Sequence, residues 1–486
     1  MSDADDLPAD LSDDVPGARF ERRKRAIGLV ATPLVAVAVG VLHRHGTAPR
    51  LEALMVLAVG WWLSEALPAA ATALVVAVVA VLLDLAEPKA VFASFGNPLL
   101  FLFVGAFFIA EAMQVHGLGA RAAGAATRLA RGPRSLMIAL SGAAFGLSAF
   151  MSNAAATAII LPIALAATAR TSRNYQAAMV LTIAWAASMG GLATPVGTPP
   201  NLIGIGQLRA AGHDVSFGAW VAVGLPIGLA MLVAMWLVLF ALFRVRGETV
   251  DLTRAAPPPW SAGEVSIVIA LGLAVIGWLA PSAIDLAAPG SAAARWAKTH
   301  LTEEVVALLA GCALFVLPGH REGRRRPALT WDEATRIDWG VILLFGGGIL
   351  LGELARSTGL TAAWGKTLVA WTGASSPWMV VGLCVGVALV LSEATSNTAT
   401  ATLMAPLAIG LAGATGTSPI PAVLGATIGA SFGFMMPIST APNALAYGTG
   451  RVTMGQMMRA GIVFDLAGFV VVWLGLRLLL PLVGLT

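Results

Sequence analysis

Charged residues are scarce in this sequence. Of its 486 residues only 12% are Asp, Glu, Lys or Arg, roughly half the share of about 25% that is typical of soluble globular domains. Hydrophobic residues make up 58%. This balance excludes a soluble globular protein for most of the chain. The net charge of +4 does not indicate nucleic-acid binding, because basic residues of membrane proteins collect in cytoplasmic loops as an orientation signal.

Cysteine and histidine are also rare. The two cysteines, Cys312 and Cys384, lie singly in apolar segments, and of the six histidines only His43 and His45 are close in sequence. These spacings exclude a disulfide framework and argue against a metal site made of thiolate or imidazole ligands. We find neither a Ser/Lys or Asp dyad in a convincing setting nor a His-Glu metal motif, so we predict that the protein is not an enzyme.

Long apolar runs recur from residue 26 to residue 482 with only short polar breaks. A helix needs about 20 apolar residues to cross a bilayer, and the runs lack the alternation of barrel strands. The sequence therefore predicts an all-α polytopic membrane protein with about eleven transmembrane helices, several of them too long for one straight crossing. The expected spans lie near residues 26–42, 51–67, 70–86, 97–116, 176–208, 217–243, 262–282, 301–317, 337–372, 420–449 and 458–482.

Two further apolar segments, 134–169 and 376–413, are each split near the middle by a Ser-Asn turn. Each is predicted to be a re-entrant helical hairpin that enters and leaves the membrane on one side. Basic residues flank the first hairpin, whereas no Lys or Arg occurs between residues 367 and 450 around the second. The charge rule therefore places the first hairpin on the cytoplasmic side and the second outside, so that the two halves form inverted repeats.

The N-terminal segment is rich in Asp up to residue 18 and is followed by a basic block at Arg22–Arg25. We expect a disordered cytoplasmic tail with a basic flank over residues 1–24, a first membrane half over 25–245 and a second over 246–486. The basic block predicts a multi-pass protein of the cell inner (plasma) membrane with its N-terminus in the cytoplasm. Arg44 and Arg50 fall on the predicted outer side, against this rule.

An internal repeat spaced by about half the chain is the strongest signal in the sequence. The segment 105–118 resembles 346–360, and Gly197-Thr198-Pro199-Pro200-Asn201 matches Ser439-Thr440-Ala441-Pro442-Asn443. Between these pairs, Ser152-Asn153-Ala154 with Pro162 matches Ser396-Asn397-Thr398 with Pro406 at the same spacing. Paired motifs in the same order are typical of secondary transporters.

The repeated residues suit a site for both a cation and an anion. An Asn side chain at a hairpin tip offers a carbonyl oxygen to a hard cation and an amide donor to an anion. The helix that starts after each turn directs its positive dipole end toward an anionic ligand, and carbonyls of unwound segments suit sodium. Pro199, Pro200 and Pro442 break the adjacent long helices and expose more carbonyls. Each half is therefore predicted to form one cation site and half of an anion site.

Other interpretations of these residues remain open. A single Ser-Asn pair in a membrane helix is more often a packing contact than a ligand site, and only its duplication favours function. Glu65, Glu111, Glu353 and Glu393 are functional candidates because carboxylates are costly inside a membrane. Glu393 could instead hold backbone N–H groups of the second hairpin, and Glu65 and Glu111 could lie near helix ends.

The sequence resembles the divalent anion/sodium symporter (DASS) family, which comprises sodium-coupled carriers of di- and tricarboxylates and of sulfate. The resemblance covers roughly residues 55–482. The segments that carry it are WWLSEALPAAATAL at 61–74, FMSNAAATAIILP at 150–162, TPVGTPPN at 194–201, SEATSNTATATLMAP at 392–406 and PISTAPN at 437–443.

The resemblance implies an elevator-type homodimer in the bilayer whose hairpin tips bind sodium ions and a small anionic substrate. It implies no organic cofactor. One sodium site would consist of Ser148, Ser152, Asn153 and Gly197, and the other of Ser392, Thr395, Asn397 and Ser439. The anion would contact Asn153, Thr198, Asn397, Thr398 and Thr440.

The first hairpin tip departs from the family pattern, because Ala154 stands where the family often has Thr. We predict sodium-coupled symport of C4-dicarboxylates such as succinate, malate or fumarate by alternating access. Two alternatives stay open: sodium-coupled transport of sulfate or another inorganic anion, and sodium-independent dicarboxylate exchange.

Overall fold

The computed structural model describes residues 18–44, 48–245, 247–250, 252, 258–321, 324–373 and 376–485. Residues 1–17 of the expected tail lie outside this range. The first helix begins at Ala18, so residues 18–24, which we assigned to the tail, are helical instead. Their Ala, Arg, Glu and Lys residues favour a helix.

The described part of the chain contains 22 α-helices and one two-stranded sheet, which confirms the all-α prediction. In the first half the helices are α1 (Ala18–Leu42), α2 (Pro49–Ser64), α3 (Ala69–Leu82), α4 (Pro88–Ala93), α5 (Pro98–Val115), α6 (Leu118–Leu129), α7 (Pro133–Ser148), α8 (Asn153–Ala167), α9 (Arg173–Gly190), α10 (Pro199–Ala210) and α11 (Phe217–Phe243). In the second half they are α12 (Ala262–Ala287), α13 (Ala292–His300), α14 (Glu303–Ala313), α15 (Trp331–Ala334), α16 (Trp339–Ser357), α17 (Leu360–Thr372), α18 (Pro377–Ala394), α19 (Asn397–Ala414), α20 (Pro419–Gly429), α21 (Ala441–Gly448) and α22 (Met454–Leu479). Short 3-10 helices cover Ser94–Gly96 and Pro481–Val483.

Membrane-length helices are fewer than the eleven predicted. Among the described residues, seven helices are long and apolar enough to cross a bilayer. Three predicted spans are each divided into two helices: 176–208 into α9 and α10, 337–372 into α16 and α17, and 420–449 into α20 and α21. The breaks in 176–208 and 420–449 contain glycine and proline, and the break in 337–372 lies at Gly359, which has a positive φ of 75°. A continuous helix is disfavoured at such residues.

The two predicted hairpins correspond to two helix pairs. The first hairpin consists of α7 and α8, and the second consists of α18 and α19. At the tips, the hydroxyls of Ser152 and Ser396 accept the backbone N–H of Ala155 and Ala399, each at 3.2 Å. These bonds are N-caps, and they explain why a new helix starts at each Ser-Asn pair.

A β-hairpin that the sequence analysis did not predict lies between α14 and α15. Its strands β1 (Pro318–Arg321) and β2 (Arg324–Pro327) pair antiparallel. Arg326 donates to Glu333 of α15 at 2.7 Å. Burial acts to raise the pKa of Glu333, but hydrogen bonds from Thr330 and Arg326 outweigh it and lower that pKa. The run of arginines hid this hairpin, because it lacks the β-branched and aromatic residues typical of strands.

Equivalent helices of the two halves pack in equivalent ways. The contact of α5 with α14 corresponds to that of α16 with α3, and the contact of α7 with α9 corresponds to that of α18 with α20. Helices α11 and α22 pack on each other. Both of the first two contacts depend on glycine: a methyl group at Gly105 would lie 2.3 Å from the backbone of Ala307, and one at Gly347 would lie 2.6 Å from Ala73 Cβ. Small residues let membrane helices approach closely.

Gly105→Ala is therefore expected to destabilise the protein by about 1–3 kcal/mol, because the added methyl group collides with the α14 backbone. The matched control is Gly124→Ala in α6, where a methyl group would meet no atom within 4 Å. That change is expected to stabilise the helix by about 0.5–1 kcal/mol. Thermal unfolding of the purified variants in detergent measures both effects, and equal shifts in melting temperature would contradict the close contact.

Candidate functional site

The tip of the first hairpin brings two predicted sodium ligands into direct contact. Ser148 ends α7 and Asn153 begins α8. The Ser148 hydroxyl donates to Asn153 Oδ1 at 2.6 Å. Ser152 lies at the turn between them, where it is exposed and caps α8. The tip therefore presents serine and asparagine oxygens within a few residues of each other, as predicted.

The first central loop (residues 191–198) packs against this tip. A methyl group at Gly191 would lie 2.7 Å from Asn153 Oδ1 and 3.1 Å from Thr198 Cβ, and one at Gly197 would lie 2.6 Å from the carbonyl of Gly191. A side chain is thus excluded at Gly191 by the close approach of the loop to the tip, and at Gly197 by the backbone of the loop itself. The structure in this way brings Gly197 and Thr198 to the same place as Asn153.

Asn201 holds the first central loop in shape. Its side-chain amide donates to the carbonyls of Gly191 and Thr194, both at 2.8 Å. The Thr194 hydroxyl donates in turn to the carbonyl of Ala149 at the hairpin tip. Sequence analysis did not assign Asn201 a role, although it ends the repeated motif and could have been found there.

The second half repeats this construction. The Ser392 hydroxyl lies 2.8 Å from Asn397 Oδ1 and 2.7 Å from the carbonyl of Ala430, and its single proton can go to only one of them. The second central loop (residues 430–440) is held by Asn443, whose amide donates to Gly433 and Met436 carbonyls at 2.7 and 3.0 Å. Asn443 therefore corresponds to Asn201.

Two other predicted sodium ligands of the second half turn their hydroxyls away from Asn397. The Thr395 hydroxyl lies 2.9 Å from the carbonyl of Leu391 and 2.7 Å from the Thr400 hydroxyl. The Ser439 hydroxyl lies 2.8 Å from Glu393 Oε2. Thr395 could therefore reach an ion at Asn397 through its backbone carbonyl, whereas Ser439 would have to release Glu393.

The threonines that were predicted to contact the anion lie at helix starts. Thr398 is half-buried in the first turn of α19. Thr440 caps α21, where its hydroxyl accepts the backbone N–H of Asn443 at 3.3 Å. Thr198 occupies the equivalent cap position of α10 and makes no capping bond with its side chain.

Glu393 serves as a backbone brace. Its carboxylate accepts the N–H groups of Met435 at 2.9 Å and Met436 at 3.2 Å, besides the Ser439 hydroxyl. A structural role of this kind was one of the two interpretations of Glu393. The N–H groups belong to the second central loop, however, and not to the second hairpin as expected.

The other glutamates that we considered lie away from the hairpin tips. Glu65 caps the end of α2 and pairs with Arg25 at 3.3 Å, while Glu353 is exposed on α16 and pairs with Arg356 at 3.3 Å. Glu111 lies in the last two turns of α5. Glu65 and Glu111 thus lie near helix ends, where a carboxylate costs little.

Helix contacts connect the hairpins and central loops of the two halves. Helix α10, which leaves the first central loop, packs on α19 of the second hairpin, and α21, which leaves the second central loop, packs on α8 of the first. Helices α8, α10, α19 and α21 all begin at these tips and loops. Each tip and each central loop thus presents a helix N-terminus, which favours a negatively charged ligand. Serine, asparagine and backbone oxygens beside them suit a hard cation.

Comparison with known proteins identifies the family of this chain. A family model described as a citrate transporter matches residues 59–416 and 294–484. The chain is 31% identical over 487 aligned positions to the sodium-dependent dicarboxylate transporter SdcS of Staphylococcus aureus strain bovine RF122 / ET3-1, covering 94% of this chain and 91% of that protein. The SdcS protein of strain MSSA476 matches to the same extent.

A solved structure has a similar fold. The crystal structure of the YdaH transporter from Alcanivorax borkumensis, described as having an unusual topology, superposes with a TM-score of 0.57 over 81% of this chain and 88% of that chain, at 16% identity. The relatives are transporters, which confirms that the protein is not an enzyme. The chain belongs to the citrate transporter family and, as the DASS resemblance implied, is a multi-pass membrane transporter.

Proposed function

We propose that the protein is a sodium-coupled symporter of C4-dicarboxylates such as succinate, malate and fumarate. The observation that carries this proposal is the duplicated tip, in which a serine hydroxyl contacts an asparagine carbonyl oxygen beside helix N-termini. The similarity to a sodium-dependent dicarboxylate transporter supports the same cation and the same class of substrate.

Sodium would bind where the serine and asparagine oxygens meet. The Ser148 hydroxyl donates to Asn153 Oδ1, and the Ser392 hydroxyl lies within hydrogen-bond distance of Asn397 Oδ1. When sodium binds, the hydroxyl would keep its proton and rotate it away from the asparagine, so that both oxygens direct lone pairs at the cation. The first site would use Ser148, Ser152, Asn153 and Gly197, and the second Ser392, Thr395, Asn397 and Ser439. The bound ion fixes the asparagine, so its amide is oriented for the anion.

The anion would lie between the two tips. A C4-dicarboxylate carries a carboxylate at each end, and each half supplies one asparagine amide and helix N-termini. The contacts would be Asn153 and Thr198 from the first half, and Asn397, Thr398 and Thr440 from the second. Because sodium orients both asparagines, we infer that sodium binds before the substrate.

Transport would proceed by an elevator movement of the hairpins and central loops within a homodimer in the inner membrane. The reciprocal helix contacts of the two halves support alternating access, in which the hairpins and central loops would carry the site with them. The basic residues at the start of α1 support a cytoplasmic N-terminus.

Sulfate is the second candidate substrate, and Ala154 is the observation that favours it. Position 154 lacks the hydroxyl that Thr398 has in the second tip. The site thus has one hydrogen-bond donor fewer for the second carboxylate of a dicarboxylate.

Ala154→Thr is expected to lower the KM for succinate by about 2- to 12-fold, which corresponds to one hydrogen bond of about 0.5–1.5 kcal/mol. The mirror variant Thr398→Ala should raise that KM by a similar factor. Initial rates of labelled succinate uptake measure both. No change in either variant would contradict the proposed contacts.

Counterflow in proteoliposomes tests the proposed function. Liposomes preloaded with unlabelled succinate should transiently accumulate labelled succinate, and external malate or fumarate should compete. Counterflow that requires sulfate in place of succinate would favour the second candidate. Equilibration without a transient excess would indicate a channel and contradict the proposal.

A further inference from the structure

The two halves differ at a pair of buried carboxyl groups. Glu393 lies three residues before Ser396, and the equivalent position before Ser152 is Ala149. Helices α11 and α22 can be aligned on three identical pairs, which are Gly218 with Gly455, Gly224 with Gly461, and Trp236 with Trp473. This alignment places Gly228 opposite Asp465. The second half thus has carboxyl groups where the first half has alanine and glycine.

Asp465 is buried without a hydrogen-bond partner. Its residue is 3% exposed, it lies near the middle of α22, and neither of its carboxyl oxygens has a partner of good geometry among the described residues. Gly461, one helical turn before Asp465, packs on the backbone of Phe434 and Met435, and Glu393 accepts the N–H groups of Met435 and Met436. The Asp465 carboxyl group therefore lies beside Glu393, which is itself buried.

The surrounding helices supply no positive charge. Helices α11, α18 and α20 pack along α22, and their sequences, all of whose residues the structure describes, contain no Lys, Arg or His. Glu393 has three hydrogen-bond donors for its carboxylate. Two adjacent carboxylates in a low-dielectric interior repel each other and are both poorly solvated. A cation shared by the two groups, either a proton or a metal ion, would relieve this repulsion.

We propose that Glu393 and Asp465 form a third cation site, which takes a sodium ion in addition to the two sites at the hairpin tips. Carboxylate oxygens are suitable ligands because sodium is a hard ion that prefers oxygen. The site would be linked to the second tip through Ser439, whose hydroxyl lies 2.8 Å from Glu393 Oε2. An ion on the carboxylates would weaken this contact and free Ser439 to turn toward the ion at Asn397.

This inference rests on the proposed sodium coupling, so it is tested first by binding and then by transport. Sodium is titrated into purified protein in detergent, without substrate, and the melting temperature is followed. In Asp465→Asn, which keeps the shape and removes the charge, the midpoint of the sodium-dependent rise should move to about tenfold higher sodium. An unchanged midpoint, or no sodium-dependent rise in the unaltered protein, would overturn the third site whether or not transport is observed.

The second measurement is the number of sodium ions coupled to each succinate. It is obtained from the sodium gradient at which net succinate flux against an opposing succinate gradient is zero in proteoliposomes. Asp465→Asn should couple one sodium ion fewer than the unaltered protein. Asp285→Asn, which removes the same charge from an exposed position at the end of α12, should leave the ratio unchanged. An unchanged ratio in Asp465→Asn, or a balance point that shifts with a pH gradient at fixed sodium, would overturn the assignment to sodium.

Discussion

Replacement of Asn153 or Asn397 by alanine is expected to reduce sodium-dependent uptake of succinate at least about 100-fold. Each change removes a ligand of the cation and a donor to the anion, and each of these charged interactions contributes about 1.5–3 kcal/mol. Each change also removes a hydrogen bond at the hairpin tip. Ser148 or Ser392 would lose its hydrogen-bond acceptor at 2.6 or 2.8 Å. The sodium dependence of uptake and the apparent affinity for succinate should therefore decline together in each variant.

The matched control for both variants is Asn174→Ala. Asn174 is an exposed asparagine in the first turn of α9 and lies outside both tips. Its replacement should leave uptake unchanged. Membrane insertion and the elution profile in size-exclusion chromatography should be the same for all three variants. Uptake at the unaltered rate in Asn153→Ala and Asn397→Ala would rule out the proposed site.

A methyl group at Gly191 should abolish most transport without removing any ligand. Gly191→Ala would put the new Cβ 2.7 Å from Asn153 Oδ1 and 3.1 Å from Thr198 Cβ, so the asparagine must move. A ligand displaced by about 1 Å costs on the order of 100-fold in rate. We expect a reduction of that size in uptake of labelled succinate, together with a higher sodium concentration for half-maximal rate.

Gly146→Ala is the control for Gly191→Ala. Gly146 lies in α7 of the same hairpin, two residues before Ser148, and a methyl group there would meet no atom within 4 Å. Uptake by this variant should stay within about twofold of the unaltered rate. If both alanine variants transport equally well, the close packing of the first central loop on the hairpin tip is not needed for function.

Much of the architecture could be predicted from the sequence because polar residues stand out in apolar runs. The Ser-Asn pairs at 152–153 and 396–397 marked the positions where α8 and α19 begin. Pro199, Pro200 and Pro442 were predicted to break the long helices, and they lie in the first turns of α10 and α21. The ends of α9 and α20 were less clear, because only the packing of each loop against a hairpin tip determines where the chain unwinds.

The site was predicted less completely than the fold. Ser148 and Asn153 were assigned to one site only through the family resemblance, and the bracing by Asn201 and Asn443 was not predicted, because it depends on carbonyls seven and ten residues away. Asp465 was missed because the apolar span around it was assigned as a simple crossing. A carboxyl group inside such a span was the signal that could have identified it.

The most direct test of sodium-coupled dicarboxylate transport is accumulation of labelled succinate in proteoliposomes under an inward sodium gradient, with a matched potassium gradient as control. We predict that sodium drives succinate inside above its external concentration, that potassium does not, and that malate and fumarate block the accumulation. Accumulation that is equal in sodium and potassium, or uptake that never exceeds the external concentration, would contradict sodium coupling through the two hairpin tips.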